Sequence, residues 1–146
     1  LMRYIEQGKV LSQCTISRLP TRSQLTATLE QFQQDVRESL GSSFGQLVEA
    51  SEETTMGKLR VMRVVAVGRS GELPVRWIYY HLEDRQGRRV AASFSVPAAS
   101  SGDFGAADRS LMRTLQFDSE RTRQLEGIPA SAGSSNSSKP SQSRMP

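Results

Sequence analysis

The chain has 146 residues, of which 36% are hydrophobic and 6% aromatic, and it carries a formal net charge of +4 with a pI near 9.7. That length suits one domain with a real core. Its single cysteine, Cys14, rules out an internal disulfide and a cysteine-built metal site, and no run of 18 apolar residues is present to span a membrane.

The chain opens Leu1-Met2-Arg3 without a signal peptide, in the manner of an excised domain. A targeting or membrane-attachment segment upstream therefore stays open. Val10 to Leu19 alternates Val10, Cys14 and Ile16 with polar residues and reads as an edge or half-buried strand. Leu19-Pro20 ends it. Thr21-Arg-Ser-Gln24 fits a capping box, with Thr21 as N-cap. The helix expected to follow carries Leu25, Leu29, Phe32, Val36 and Leu40, an apolar stripe over about five turns, and Gly41 stops it.

Phe44 to Ala50 reads as a short strand, and Ser51-Glu-Glu-Thr-Thr as a polar turn. Lys58 to Val67 is β-branched with apolar residues at both parities, the pattern of a central strand covered on both faces. Arg63 interrupts one apolar set, so it needs a partner or a route to the surface. Gly68 to Pro74 is a loop leading into a hairpin.

That hairpin, Val75 to Val96, organises the sheet. Trp77, Ile78, Tyr79, Tyr80 and Leu82 suit a buried pleated surface, and Val90, Phe94 and Val96 alternate with Ala91, Ser93 and Ser95. Asp84-Arg85-Gln86-Gly87 suits a type I turn followed by glycine at positive φ. Asp84 then pairs with Arg88, Leu82 with Val90, Tyr80 with Ala92 and Ile78 with Phe94. A one-residue slip would set Trp77 against Phe94 instead. In the first register Trp77, Tyr79 and His81 share the other face with Ala91, Ser93 and Ser95. Large rings over small residues there are either a layer sealed by a helix or a floor for a partner.

Asp103 can cap a second helix carrying Phe104, Ala107, Leu111 and Leu115 and ending near Phe117. Residues 1–117 thus form the domain, with 15 Lys and Arg against 12 Asp and Glu. Residues 118–126 read as a charged helical extension. Residues 127–146, rich in Ser, Gly and Pro, read as a disordered tail or the start of a linker. The order β, helix, four strands in a meander, helix predicts an α+β fold, a central antiparallel sheet flanked by helices.

Chemical motifs are sparse. His81 is the one histidine, a poor start for a metal site. There is no Gly-x-Ser-x-Gly elbow, and Gly41-Ser-Ser-Phe-Gly45 lacks the lysine of a phosphate loop. Glu52-Glu53 and Glu83-Asp84 lie on turns. No catalytic, cofactor-binding or metal-binding residue is assigned, and no cofactor is expected.

A strand ending Arg18-Leu19-Pro20 and an amphipathic helix precede Trp77-Ile78-Tyr79-Tyr80, Asp84-Arg85-Gln86-Gly87-Arg88 and Phe94-Ser95-Val96. A closing helix follows, with Phe104 and the run Asp108-Arg109-Ser110-Leu111-Met112-Arg113-Thr114-Leu115-Gln116-Phe117. Over residues 5 to 117 this pattern resembles the PsbP-like superfamily, which includes the extrinsic photosystem II protein, a Ran-binding nuclear-import factor, and bacterial envelope proteins and lipoproteins. The resemblance implies an α/β/α sandwich, no catalysis, action by protein binding, and an extracytoplasmic or envelope-attached bacterial module. It transfers no functional residue.

Three function classes follow. A non-catalytic binding module would meet a protein partner on Trp77, Tyr79 and His81, with Arg63 as a further candidate, on a sheet edge or on the helix flanks. A small-molecule or enzymatic pocket between sheet and helix would place Arg63 and His81 in one deep cavity. A surface for nucleic acid or anionic lipid would gather Arg60, Arg76, Arg85, Arg88 and Arg89 on one side, although the sequence lacks the dense basic stripe of a nucleic-acid binder.

Overall fold

Six strands account for most of the β-branched and aromatic residues: β1 (Met2–Glu6), β2 (Lys9–Leu19), β3 (Phe44–Thr54), β4 (Arg60–Ser70), β5 (Leu73–Glu83) and β6 (Arg89–Pro97). The computed structural model describes residues 1–21 and 27–117. The strands form one antiparallel sheet in the order β1-β2-β6-β5-β4-β3. One helix, α1 (Leu29–Leu40), connects β2 to the far edge of the sheet, and two short helices, α2 (Ser101–Phe104) and α3 (Ala107–Arg113), follow β6.

The hairpin at the centre takes the first register. Ile78 pairs with Phe94, Tyr80 with Ala92 and Leu82 with Val90. Asp84 N–H donates to the Arg88 carbonyl at 3.1 Å, Gly87 N–H donates back to Asp84 at 3.1 Å, and Gly87 adopts φ +74°. Glycine is needed at that position because an L side chain there would meet its own backbone.

β4 is covered on both sides. Val61 and Val65 face Ile78, Tyr80, Phe94 and Val96, and are closed over by Phe104 of α2 and Met112 of α3. Val64 and Ala66 face the other way, into Leu29, Phe32, Val36 and Leu40 of α1. An α+β fold with helices on opposite faces is therefore observed, and β3 to β6 form the expected meander.

Several boundaries differ. α1 begins at Leu29, capped by Thr28, whose hydroxyl accepts from Gln31 N–H at 3.1 Å. Thr28-Leu-Glu-Gln31 repeats the Thr-x-x-Gln spacing of Thr21–Gln24, and the later copy is the one the helix uses. Thr21 lies outside any helix; Gln24 and Leu25 lie outside the described residues. Gly41, at φ +51°, ends the helix with its N–H on the Arg37 carbonyl. β3 runs to Thr54, so the residues read as a polar turn are its outer end, where Glu52 pairs across the sheet with Arg60. β2 is not an edge, because β1 lies outside it. Asp103 sits within α2 rather than capping one long helix, and Gly105, at φ +52°, separates α2 from α3. The expected extension and tail, 118–126 and 127–146, lie outside the described residues.

The entry to β3 crosses β4 at close range. A Cβ on Gly68 would overlap the Ser43 carbonyl and approach Gly45 N at 2.9 Å. Both contacts are backbone and cannot yield by a rotamer change. Gly68→Ala should lower stability by about 1–3 kcal/mol, whereas Gly57→Ala, whose Cβ would meet only Thr55 Oγ1 at 3.8 Å, should leave the urea midpoint unchanged.

Candidate functional site

Arg63 stands in the middle of Val61–Val67, a stretch of β4 otherwise made of valine, methionine and alanine, so its guanidinium enters the core beneath α3. It is met there by Asp108, 1% exposed, whose Oδ2 lies 3.0 Å from Arg63 Nε and 3.0 Å from Nη2. Tyr80, opposite Arg63 on β5, donates its hydroxyl to the same Oδ2 at 2.7 Å and accepts from Arg63 Nε at 3.0 Å. Nη1 reaches outward to Glu49 Oε2 at 2.8 Å, and Glu49 Oε1 lies 2.9 Å from Arg109 Nη2. The chain of charges thus runs from the core to the surface. Burial, then the hydrogen bond to Asp108, hold the Tyr80 phenol well above its ordinary pKa. The Arg63 guanidinium holds the Glu49 carboxyl below its usual value, with Arg109 adding to the effect.

Arg63, Tyr80, Glu49 and Arg109 form the inner end of an open groove of about 960 Å³. One wall is β3 and the loop after it, with Ser51, Glu53 and the fully exposed Met56. The other is α3 and the residues after it, with Met112, Arg113, Leu115 and Phe117. Leu59 and Val61 of the β4 side form the apolar floor. At the outer end Arg88 ion-pairs with Asp84 at 2.6 Å and lies 5.1 Å from the centre of the Phe117 ring.

The residues singled out from the sequence fall on two faces. Trp77, Tyr79 and His81 lie on the α1 face; Arg63 lies on the α3 face, since it pairs with Tyr80 while Met62 pairs with His81. No single cavity can hold both Arg63 and His81. Trp77 is 8% and His81 7% exposed, the His81 ring is tilted against Phe32 of α1 with centres 5.9 Å apart, and burial raises the pKa of the half-buried Tyr79 phenol, with Ser39 of α1 opposing the shift. α1 packs over Tyr79 and His81, of which Tyr79 stays half-buried, and a smaller cleft of about 290 Å³ opens beside Trp77, Val10, Val75 and Pro97.

The arginines of the basic-surface reading also divide. Arg60 and Arg89 lie on the α1 face, held by Glu52 and by the Pro20 carbonyl, while Arg88 lines the α3-side groove. Among the described residues no group of three or more His, Cys, Asp or Glu is placed to hold a metal ion, and no helix is long and apolar enough to cross a membrane.

Sequence reasoning missed Asp108, Glu49 and Met56. Asp108 did leave a signal: it falls four residues after Phe104 and four before Met112, inside the apolar stripe of the closing helix. A carboxylate there and an arginine inside a valine strand are each untenable alone and natural as a pair. No protein-family model matches the chain, and no curated protein matches it in sequence.

Removing one member of the buried pair leaves the other charge uncompensated. Asp108→Ala should cost about 3–5 kcal/mol in urea unfolding, and Arg63→Met combined with Asp108→Leu considerably less than either change alone. Because Glu49 has a lowered pKa in the folded state, its contribution is complete above its ordinary 4.5 and is lost as pH falls through the folded value. Acid titration of stability should accordingly be shallower in Glu49→Gln than in the parent, with residual slope from Glu52 and Asp84, which are shifted the same way.

Proposed function

We propose that this chain is a non-catalytic protein-binding module of the PsbP-like kind, acting at the bacterial cell envelope, whose partner lies in the groove between β3 and α3. The observation that carries the reading is the groove itself: an apolar floor of Leu59 and Val61, Met112, Leu115 and Phe117 on the α3 wall, an exposed methionine at the lip, and charged rims, beside a sheet edge that no strand covers among the described residues. A small-molecule site would turn polar groups toward its ligand. Here the polar groups of the groove are largely turned on one another, Arg63 to Asp108, Arg109 to Glu49 and Arg88 to Asp84. The element order and the helices on both faces support the PsbP-like part of the proposal, and the envelope location follows from that resemblance.

The test is affinity capture from envelope and lysate fractions of the source organism at low and high salt. Met56→Glu and Arg113→Glu alter exposed side chains and leave the core intact. Each should reduce capture of a discrete, salt-resistant partner about tenfold, while Thr15→Lys, on the open part of the α1 face, should leave it unchanged. Loss on Thr15→Lys alone would move the partner to the other face, and the absence of any discrete partner would remove the reading.

A further inference from the structure

Resting on the binding reading above, the geometry points to the occupant of the groove as an amphipathic α-helix of the partner protein, with acidic residues along the flank that meets α3 and basic residues along the flank that meets β3. Two observations lead there independently.

The first is the layering of the sheet. On one face, β3 and β4 are covered by α1, with Leu29, Phe32 and Val36 over Val64, Ala66 and Leu47. On the opposite face β4 is buried at Val61, Arg63 and Val65, but β3 carries Ser51 and Glu53 in solvent and forms one wall of the groove. α3 covers the strands beyond it, through Met112 against the core. An element lying alongside α3 would complete the layer, and the element that closes a sheet face is a helix. Strand addition would use the β3 edge instead, to the side of the groove rather than in it; that ladder shifts register between Phe44 and Gln46 and again between Leu47 and Glu49 and is regular from Glu49 to Thr54.

The second is the order of charges along the two walls. Glu49 and Arg109 bridge the inner end and close it. Four residues further along each wall stand Glu53 and Arg113, both exposed, and neither takes part in an ion pair among the described residues. Between the walls that carry them lie the apolar Met56, Leu59 and Leu115 of the groove lining. A helix laid there with apolar residues at i, i+3, i+4 and i+7 would present its two polar flanks to opposite signs. The fully exposed Met56 suits a side chain that must adapt to a helical surface. Opposed rim charges fix which way round the helix lies.

A display library of random 18-residue peptides, selected on the parent domain and counter-selected on Met56→Glu, tests this directly. The expected winners show helical apolar spacing with Asp or Glu on one flank and Lys or Arg on the other, and gain helical circular dichroism on binding. Arg113→Glu or Glu53→Lys should each weaken a winner about tenfold, and a winner with its flank charges exchanged should prefer the Glu53→Lys/Arg113→Glu domain to the parent. Winners with alternating strand-like patterns, winners indifferent to the two rim charges, or no winner dependent on Met56 would each overturn the helix assignment. If native capture is lost on the groove variants while the library returns strand-like peptides, the binding module stands and the helix falls; if capture also ignores the groove, both fall.

Discussion

A guanidinium in the middle of a valine strand constrains everything packed over it. Arg63 is only 6% exposed in its place on β4, so a carboxylate must come to it, and Asp108 arrives from 45 residues further along the chain. Such pairs often add little net stability compared with apolar residues of the same volume. What this one supplies is position. α3 has only seven residues and would not hold its own shape in water. Once Asp108 is seated on Arg63 and Tyr80, the rest of α3 follows: Arg109 meets Glu49, Met112 enters the core one turn on, and Arg113 is carried to the groove rim. The groove is thus a consequence of the ion pair, and its inner end is the same charge network seen from outside.

The two faces of the sheet are solved differently. On the α1 face, Glu52, Arg60, Glu83 and Arg89 form a row of alternating charge across four strands, and its arginines also hold main-chain oxygens, Arg89 that of Pro20 and Arg60 that of Ala27. The connector between β2 and α1 is thereby fastened near both ends to the sheet. On the α3 face the corresponding charges lie in the core and at one corner; Val61, Arg63 and Val65 of β4 are buried there, while Ser51 and Glu53 of β3 stay in solvent. The face with the longer helix is closed over β3 and β4; the face with two short helices is the one with space.

How much of this was legible in the sequence follows from how locally each feature is encoded. The central hairpin, its register and the meander were legible, because alternation and an Asp-x-x-Gly turn act within a dozen residues. β1 was not: all five of its residues are exposed, so Met2 to Glu6 show no contrast between faces, and Gln7-Gly8 is a weak sequence for a two-residue turn. The outer half of β3 looked like a turn because its strand character depends on Glu52 finding Arg60, a contact no propensity expresses. At the candidate site, Arg63 was recognised as needing a partner, but strand and helix patterns do not say which carboxylate across 45 residues supplies it. The Trp77, Tyr79 and His81 row was legible as rings over small residues; that Phe32 and Ser39 close over part of it depended on where α1 lands.

The strand order also sets a timetable. β3 to β6 pair with immediate neighbours and can zip up locally, but β2 pairs with β6 from Leu19↔Arg89 to Gln13↔Ser95, partners 70 to 82 positions apart. That closure carries most of the loop entropy in the molecule. During synthesis β1 and β2 are made before the strand they join, and wait until the tenth decade of residues has emerged. Once β6 has paired with β5 its other side is an unpaired edge until β2 docks, and the β1–β2 hairpin is the cover made for it.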